Sequence, residues 1–158
     1  MSELILRFLK IRSQVIDMMT RLIQETGADC GIIAVPKRET EFFRVIIYGL
    51  PENPADEEAL LPFESTPLCV SVLETGGPVR VPDVAALPPE NSCTFLLAEN
   101  FAGFLGLPLR VDKTGEDAVL ALLSHPVRDW SEADATRLLE AAARIGPMLG
   151  AACTRPIQ

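Results

Sequence analysis

Apolar residues recur at three- and four-residue steps through Leu4, Phe8, Ile11, Val15, Met18, Met19, Leu22 and Ile23, with Arg and Asp between them. That spacing predicts an amphipathic helix over 3–26, and Gly27 stands where a terminating glycine belongs. The period then changes. Residues 30–35 form a short apolar run, 36–41 a polar turn, and 42–48 a run rich in β-branched and aromatic side chains. Together they predict an antiparallel hairpin. Residues 49–66, rich in Pro, Glu and Asp, predict a long acidic connection. Pro67 fits the first turn of a short helix reaching about Thr75, with Leu68, Val72 and Leu73 inward and Gly76 and Gly77 ending it.

A brief strand is expected over 78–81, an irregular segment from Pro82 and Asp83 to Pro89, and a second short helix around 92–99. Two long strands, 103–111 and 118–125, are joined by the turn 112–116. The last helix starts after Asp129, Trp130 and Ser131. Ser131 is a good N-cap, Glu132 and Asp134 suit the positive helix end, and Asp134 occupies the capping-box position. Leu138, Leu139, Ala142, Ile145, Met148 and Leu149 carry the helix on, and Gly146 with Pro147 is expected to kink or divide it. The expectation is one domain over 1–158, with a core over 28–150 and a frayed tail over 154–158. No repeat interrupts it.

At 158 residues the chain is long enough to bury a core without covalent staples. Apolar residues make up 48% and charged ones 23%, a globular balance. The net charge of −8 repels phosphate backbones and anionic bilayers, which argues against nucleic acid and membrane as partners. Arg7, Lys10, Arg12, Asp17 and Arg21 break the first apolar stretch, so it is neither a span nor a signal core. A cytoplasmic location is therefore expected, with Cys30, Cys69, Cys93 and Cys153 reduced. No two cysteines form a CxxC pair and His125 is the single histidine, which speaks against zinc and leaves haem one weak candidate ligand.

The order helix, hairpin, two short helices around a small strand, hairpin, helix resembles the GAF domain family. Residues 66–83, running from Thr66-Pro-Leu-Cys to Pro-Val-Arg-Val-Pro-Asp83, resemble that family's stretch of helix, glycine, Pro-Val strand and Asp. Gly106-Leu-Pro-Leu109 is similar to its Pro-Leu strand, and Arg128-Asp-Trp-Ser-Glu132 to the start of its last helix. The likeness covers roughly 10–150. Asp117-Ala118 departs from it, because the family often has glycine before the fifth strand. The resemblance implies an α/β (α+β) fold: a central antiparallel sheet of five or six strands shared by the hairpins of 30–48 and 103–125. Terminal helices would cover one face, and short helices would cover a ligand pocket on the other. It also implies a regulatory sensor in signal transduction, acting alone or with a separate signalling partner.

Cys69 and Cys93 lie 24 residues apart and flank Asp83. Free methionine-R-sulfoxide reductases, catalytic members of this fold, resemble that pattern, so a thiolate attack with a resolving thiol is the alternative function. Three departures weigh against it. Ala121-Leu122-Leu123 stands where those enzymes carry Asp-x-Asp, Phe104 stands where they carry glutamate, and no cysteine lies near Ala59. The expectation is a non-enzyme. Asp83 can bond backbone N–H groups of the following turn, and His125, at a strand end, reads as a surface residue. No Cys-His pair of the bilin-binding members is present, nor the Asn-Lys…Phe…Asp-Glu signature of cyclic-nucleotide binders, so the ligand stays unnamed.

The resemblance places the pocket among parts of 63–73, 81–87 and 93–101, with Phe63, Cys69, Val72, Asp83, Cys93, Phe95 and Phe101 as the candidate ligand-binding residues. An apolar pocket with few polar groups is the usual small-molecule site. A collapsed pocket in a ligand-free dimerisation scaffold is the rival. A homodimer through the terminal helices is expected in either case. Phe8, Val15, Leu22 and Leu4, Ile11, Met18 follow seven-residue steps, Ile5, Leu9, Ile16, Met19 and Ile23 widen the stripe, and Ala141, Ala142 and Ala143 permit close approach.

Overall fold

The computed structural model describes residues 2–37, 39–49, 57–111 and 116–153, with side chains described over 11–37, 39–49, 58–111 and 117–149. The elements run in the order α1 (Ser2–Thr26), β1 (Cys30–Lys37), β2 (Phe42–Tyr48), β3 (Glu57–Pro62), a 3-10 turn (Phe63–Ser65) and α2 (Pro67–Thr75). They continue with β4 (Val79–Val81), 3-10 turns at Val84–Ala86 and Pro89–Asn91, α3 (Thr94–Ala98), β5 (Gly103–Val111), β6 (Glu116–Ser124) and α4 (Glu132–Cys153). The six strands form one antiparallel sheet ordered β3-β2-β1-β6-β5-β4. Both expected hairpins share it. The fold class read from the chain is the one observed.

Alternation along the strands separates two cores. Ile33, Tyr48, Leu105, Leu107, Leu109, Leu120 and Leu122 face α1 and α4, where Val15, Met19, Leu22, Leu138 and Ile145 are buried against them. Ile32, Ala34, Phe43, Val45, Phe104, Val119 and Ala121 face the opposite layer of α2, α3 and the 3-10 turns. Gly27 ends α1 in the left-handed region, at φ 75°, and its N–H donates to the Ile23 carbonyl at 2.9 Å.

Two local expectations are corrected, and a third is narrowed. Residues 49–66 are not all connection: β3 pairs with β2 from Ile47↔Glu57 to Phe42↔Pro62. β1 continues through Pro36 to Lys37, because its pairing with β6 covers only Cys30 to Ala34 and no partner there needs the N–H that proline lacks. Of the two outcomes expected at Gly146 and Pro147, division does not occur: α4 is one helix with Pro147 inside it. The carbonyl that Pro147 leaves unbonded belongs to Ala143, an exposed residue, so water can satisfy it. The frayed tail over 154–158 and most of the 112–116 turn lie outside the described residues.

The capping box at the start of α4 is present in both directions. The Asp134 N–H donates to Ser131 Oγ at 3.1 Å, and the Ser131 N–H donates to Asp134 Oδ2 at 3.0 Å. Arg128 adds hydrogen bonds to both Asp134 oxygens at 3.1 Å and to the Thr26 carbonyl, while its guanidinium lies 4.4 Å from the Trp130 ring centre. Burial raises the Asp134 carboxyl, but the Ser131 and Arg128 hydrogen bonds and the Arg128 charge outweigh it and hold the group below the usual aspartate range. No described helix is long and apolar enough to cross a membrane.

Candidate functional site

Between the sheet and the short helices lies a void of about 10 Å³, lined by Ile32, Val45, Leu61 and Phe104 from the strands and by Thr66, Cys69, Cys93, Phe95 and Leu96 from the covering layer. That is room for one water at most. A drug-sized ligand needs a cavity of roughly 300–1,000 Å³, so this interior is closed.

Phe104 is what closes it. A Cβ on Gly106 would sit 2.8 Å from the Phe104 ring and 3.2 Å from Val72 Cγ2. The ring therefore lies over the bare backbone of Gly106 beneath α2, a position open only because residue 106 has no side chain. Phe104 is 1% exposed and Val72 is fully buried.

Of the candidate ligand-binding residues, Cys69, Cys93 and Phe95 are brought together at this one void. Phe63 stands behind it, its ring centre 4.7 Å from that of buried Phe43, and faces an outer groove. Val72, Asp83 and Phe101 do not line the void. The Asp83 carboxylate accepts from the Ala85 N–H at 3.1 Å and caps the 3-10 turn. Phe101 stacks on His125 at 4.4 Å, and the His125 ring Nδ1 lies 3.1 Å from the Asn100 carbonyl. Ile32, Val45 and Leu61 were missed. For Ile32 and Val45 the signal is alternation along β1 and β2, whereas Leu61 lies in the stretch read as connection.

Both thiols are free and buried. Burial pushes the Cys69 thiol far up, and Cys93 beside it pushes the same way. Burial also raises Cys93, against the opposing pull of backbone hydrogen bonds at Leu96 and Leu68, and its S–H donates to the Ser65 carbonyl at 3.6 Å. Neither thiol is poised as a thiolate. Among the described residues, no Asp, Glu, Lys, Arg or His lines the void. Among the described residues, no group of three or more His, Cys, Asp or Glu could hold a metal ion.

No curated protein matches the chain. Among solved structures, it is similar to the GAF domain of a phosphoenolpyruvate-protein phosphotransferase from Coxiella burnetii, at 19% identity and TM-score 0.70 over 95% of this chain and 96% of that one. The corresponding domain from Acinetobacter superposes at 18% identity and TM-score 0.70, covering 90% of this chain and 84% of that one. A free methionine-R-sulfoxide reductase from Neisseria meningitidis, solved with its substrate, does so at 19% identity and TM-score 0.65, over 90% and 80%. These likenesses show the fold. The sequence profile of the GAF domain family matches residues 12–149, and the chain belongs to that family of signalling sensor modules.

Proposed function

We propose that the chain is a regulatory sensor whose ligand is a small, neutral, largely apolar molecule, taken into the interior void when the short-helix layer rises from the sheet. The observation that carries this is the lining: apolar side chains, the Thr66 hydroxyl and two protonated thiols, with no charge to meet an ion. The covering layer supports it. α3 is five residues long, and α2, α3 and two of the three 3-10 turns lack a side-chain cap at their N-termini. The cytoplasm is the proposed compartment, on the reading of the cysteines as thiols.

Native mass spectrometry of the chain purified from its own host tests the proposal. A retained neutral mass, lost when Cys69→Phe fills the void, is the expected result. A bare chain that also shows no thermal shift with any member of a neutral apolar compound set would instead favour the scaffold.

The placing of Cys69 and Cys93 at one void favours a second reading, reduction of free methionine-R-sulfoxide. The buried, protonated thiols and the absence of an acid in the lining argue against it. Incubation with that sulfoxide and a dithiol reductant is expected to give no turnover; turnover abolished by Cys93→Ser would replace the sensor with the enzyme. We also propose a homodimer through the terminal helices and a separate signalling partner as the output.

A further inference from the structure

The outer surface of residues 62–74 bounds a second and far larger concavity. This groove, about 660 Å³ and open to solvent, lies between the β1–β2 turn, the end of β3 and the outer side of α2. Its apolar lining is made by Phe42, Pro62, Phe63, Pro67 and Val70, beside the uncharged polar Thr40, Ser71 and Asn91. Phe42 keeps 38% of its surface exposed although it pairs directly with Pro62 across the sheet. Glu41, Glu64 and Glu74 also line it, and among the described residues no Lys, Arg or His does. Among the described residues no cation pairs with these three carboxylates.

Uncompensated carboxylates beside low-dielectric walls concentrate negative potential in a cleft, and aromatic faces accept cations. The groove is therefore built to receive positive charge carried on an apolar frame. Its openness separates two kinds of guest: a small molecule needs most of its surface enclosed, whereas a peptide laid in a groove does not. We propose that this groove docks a basic segment of a partner protein, with Lys or Arg side chains meeting Glu64 and Glu74 and an apolar side chain seated between Phe42 and Phe63.

One wall serves both concavities. Pro62, Phe63, Val70 and Glu74 face the groove, while Leu61, Thr66 and Cys69 of the same stretch face the interior void. The Phe63 N–H donates to the Glu41 carbonyl at 3.0 Å and ties the two sides of the groove together. A peptide pressing on Phe63 presses through it on Phe43. Docking does not depend on the void being a ligand site, so either proposal can fail alone.

The probe is a synthetic hexapeptide of alternating lysine and leucine, with the glutamate-leucine hexapeptide as control, titrated at low ionic strength and followed by amide NMR shifts. Shifts confined to residues 40–42 and 62–74 are expected with the lysine peptide and absent with the control. Glu64→Lys plus Glu74→Lys should weaken Kd by at least about tenfold, and Glu64→Gln plus Glu74→Gln by less, with circular dichroism unchanged. Glu99→Lys plus Glu140→Lys, away from the groove, should leave Kd within about twofold. Equal weakening by both lysine pairs, or shifts spread over the acidic surface, would reduce the effect to net charge and overturn the proposal. So would benzyltrimethylammonium giving the same shifts at the same affinity, since the groove would then be a small-cation site.

Discussion

Phe104 and Gly106 act as one unit: the ring occupies space that any side chain at 106 would need, and in doing so it keeps the interior shut. Truncating it should separate stability from capacity. Phe104→Ala is expected to destabilise the fold by about 3–5 kcal/mol, the range for removing a buried aromatic ring, as read by urea unfolding. The same variant, and not the wild type, should gain thermal stability on adding benzene or indole. No gain would mean that the layer collapses into the gap. At this scale the sequence was legible where a rule is local. Ser131 and Asp134, three apart ahead of an apolar run, announced their reciprocal bonds, and Asp83 after Pro82 announced a turn. Phe104 was not read as the residue that shuts the interior, because its bulk matters there through Gly106 and Val72, contacts that no spacing reveals.

Asp134 makes a pH prediction. Its folded carboxyl lies below the unfolded value near 3.9. Its contribution is therefore present above the unfolded value and is lost as pH falls through the folded one. Asp134→Asn should lower unfolding free energy by about 1–3 kcal/mol at neutral pH, the scale of a cap and a charged hydrogen bond. The deficit should shrink as pH falls below about 4. A deficit that stays constant down to strong acid would assign the loss to packing instead of charge.

Among elements, β3 shows what patterning misses. β3 reads Glu-Glu-Ala-Leu-Leu-Pro, without a β-branched residue, and Leu60 is 62% exposed on a sheet edge. An edge strand covered on one face leaves a half-written alternation, so its composition passed for connection. α4 carries Pro147 inside one helix, the undivided one of the two outcomes that the local rule allows. Gly146 shows why that stretch is so particular: a Cβ there would fall 2.2 Å from the Arg110 carbonyl oxygen of β5. Gly146→Ala must push helix from sheet and should cost about 1–3 kcal/mol despite alanine's better helix propensity. Gly77→Ala, with nothing within 4 Å of its Cβ, should stay within about 0.5 kcal/mol of wild type. Equal effects in chemical denaturation would remove the close approach as the reason for the glycine.

For the whole molecule, the question is how a change in the short-helix layer could leave the domain. β4 is the bridge. Arg80 donates to the Trp130 carbonyl at 3.3 Å and to Glu132 at 2.8 Å, while the Trp130 indole N–H donates to the Val81 carbonyl at 3.4 Å. Arg128 then joins the Trp130 ring and Asp134 to the Thr26 carbonyl at the end of α1. The end of α1 and the start of α4 therefore meet β4 around one tryptophan. A seam along these helices would turn their relative angle into an output, which requires a second copy. Val15 and Leu22, two residues of the expected seam, are buried in the chain's own core at 3% and 4% exposure, and the side chains of Leu4 and Phe8 lie outside the described residues. What remains available is Leu139, 61% exposed, with Ala143 exposed one turn further on and Ile11 and Met18 half-buried on α1. Each Leu or Ile buried from both partners contributes roughly 1.5–3 kcal/mol, so several are needed against the entropy of association. Sedimentation equilibrium at micromolar concentration is expected to give a dimer, and Leu139→Glu plus Ala143→Glu a folded monomer with unchanged circular dichroism. A wild-type monomer, or a dimer indifferent to both charges, would take the seam away from α4 and with it this route from pocket to partner.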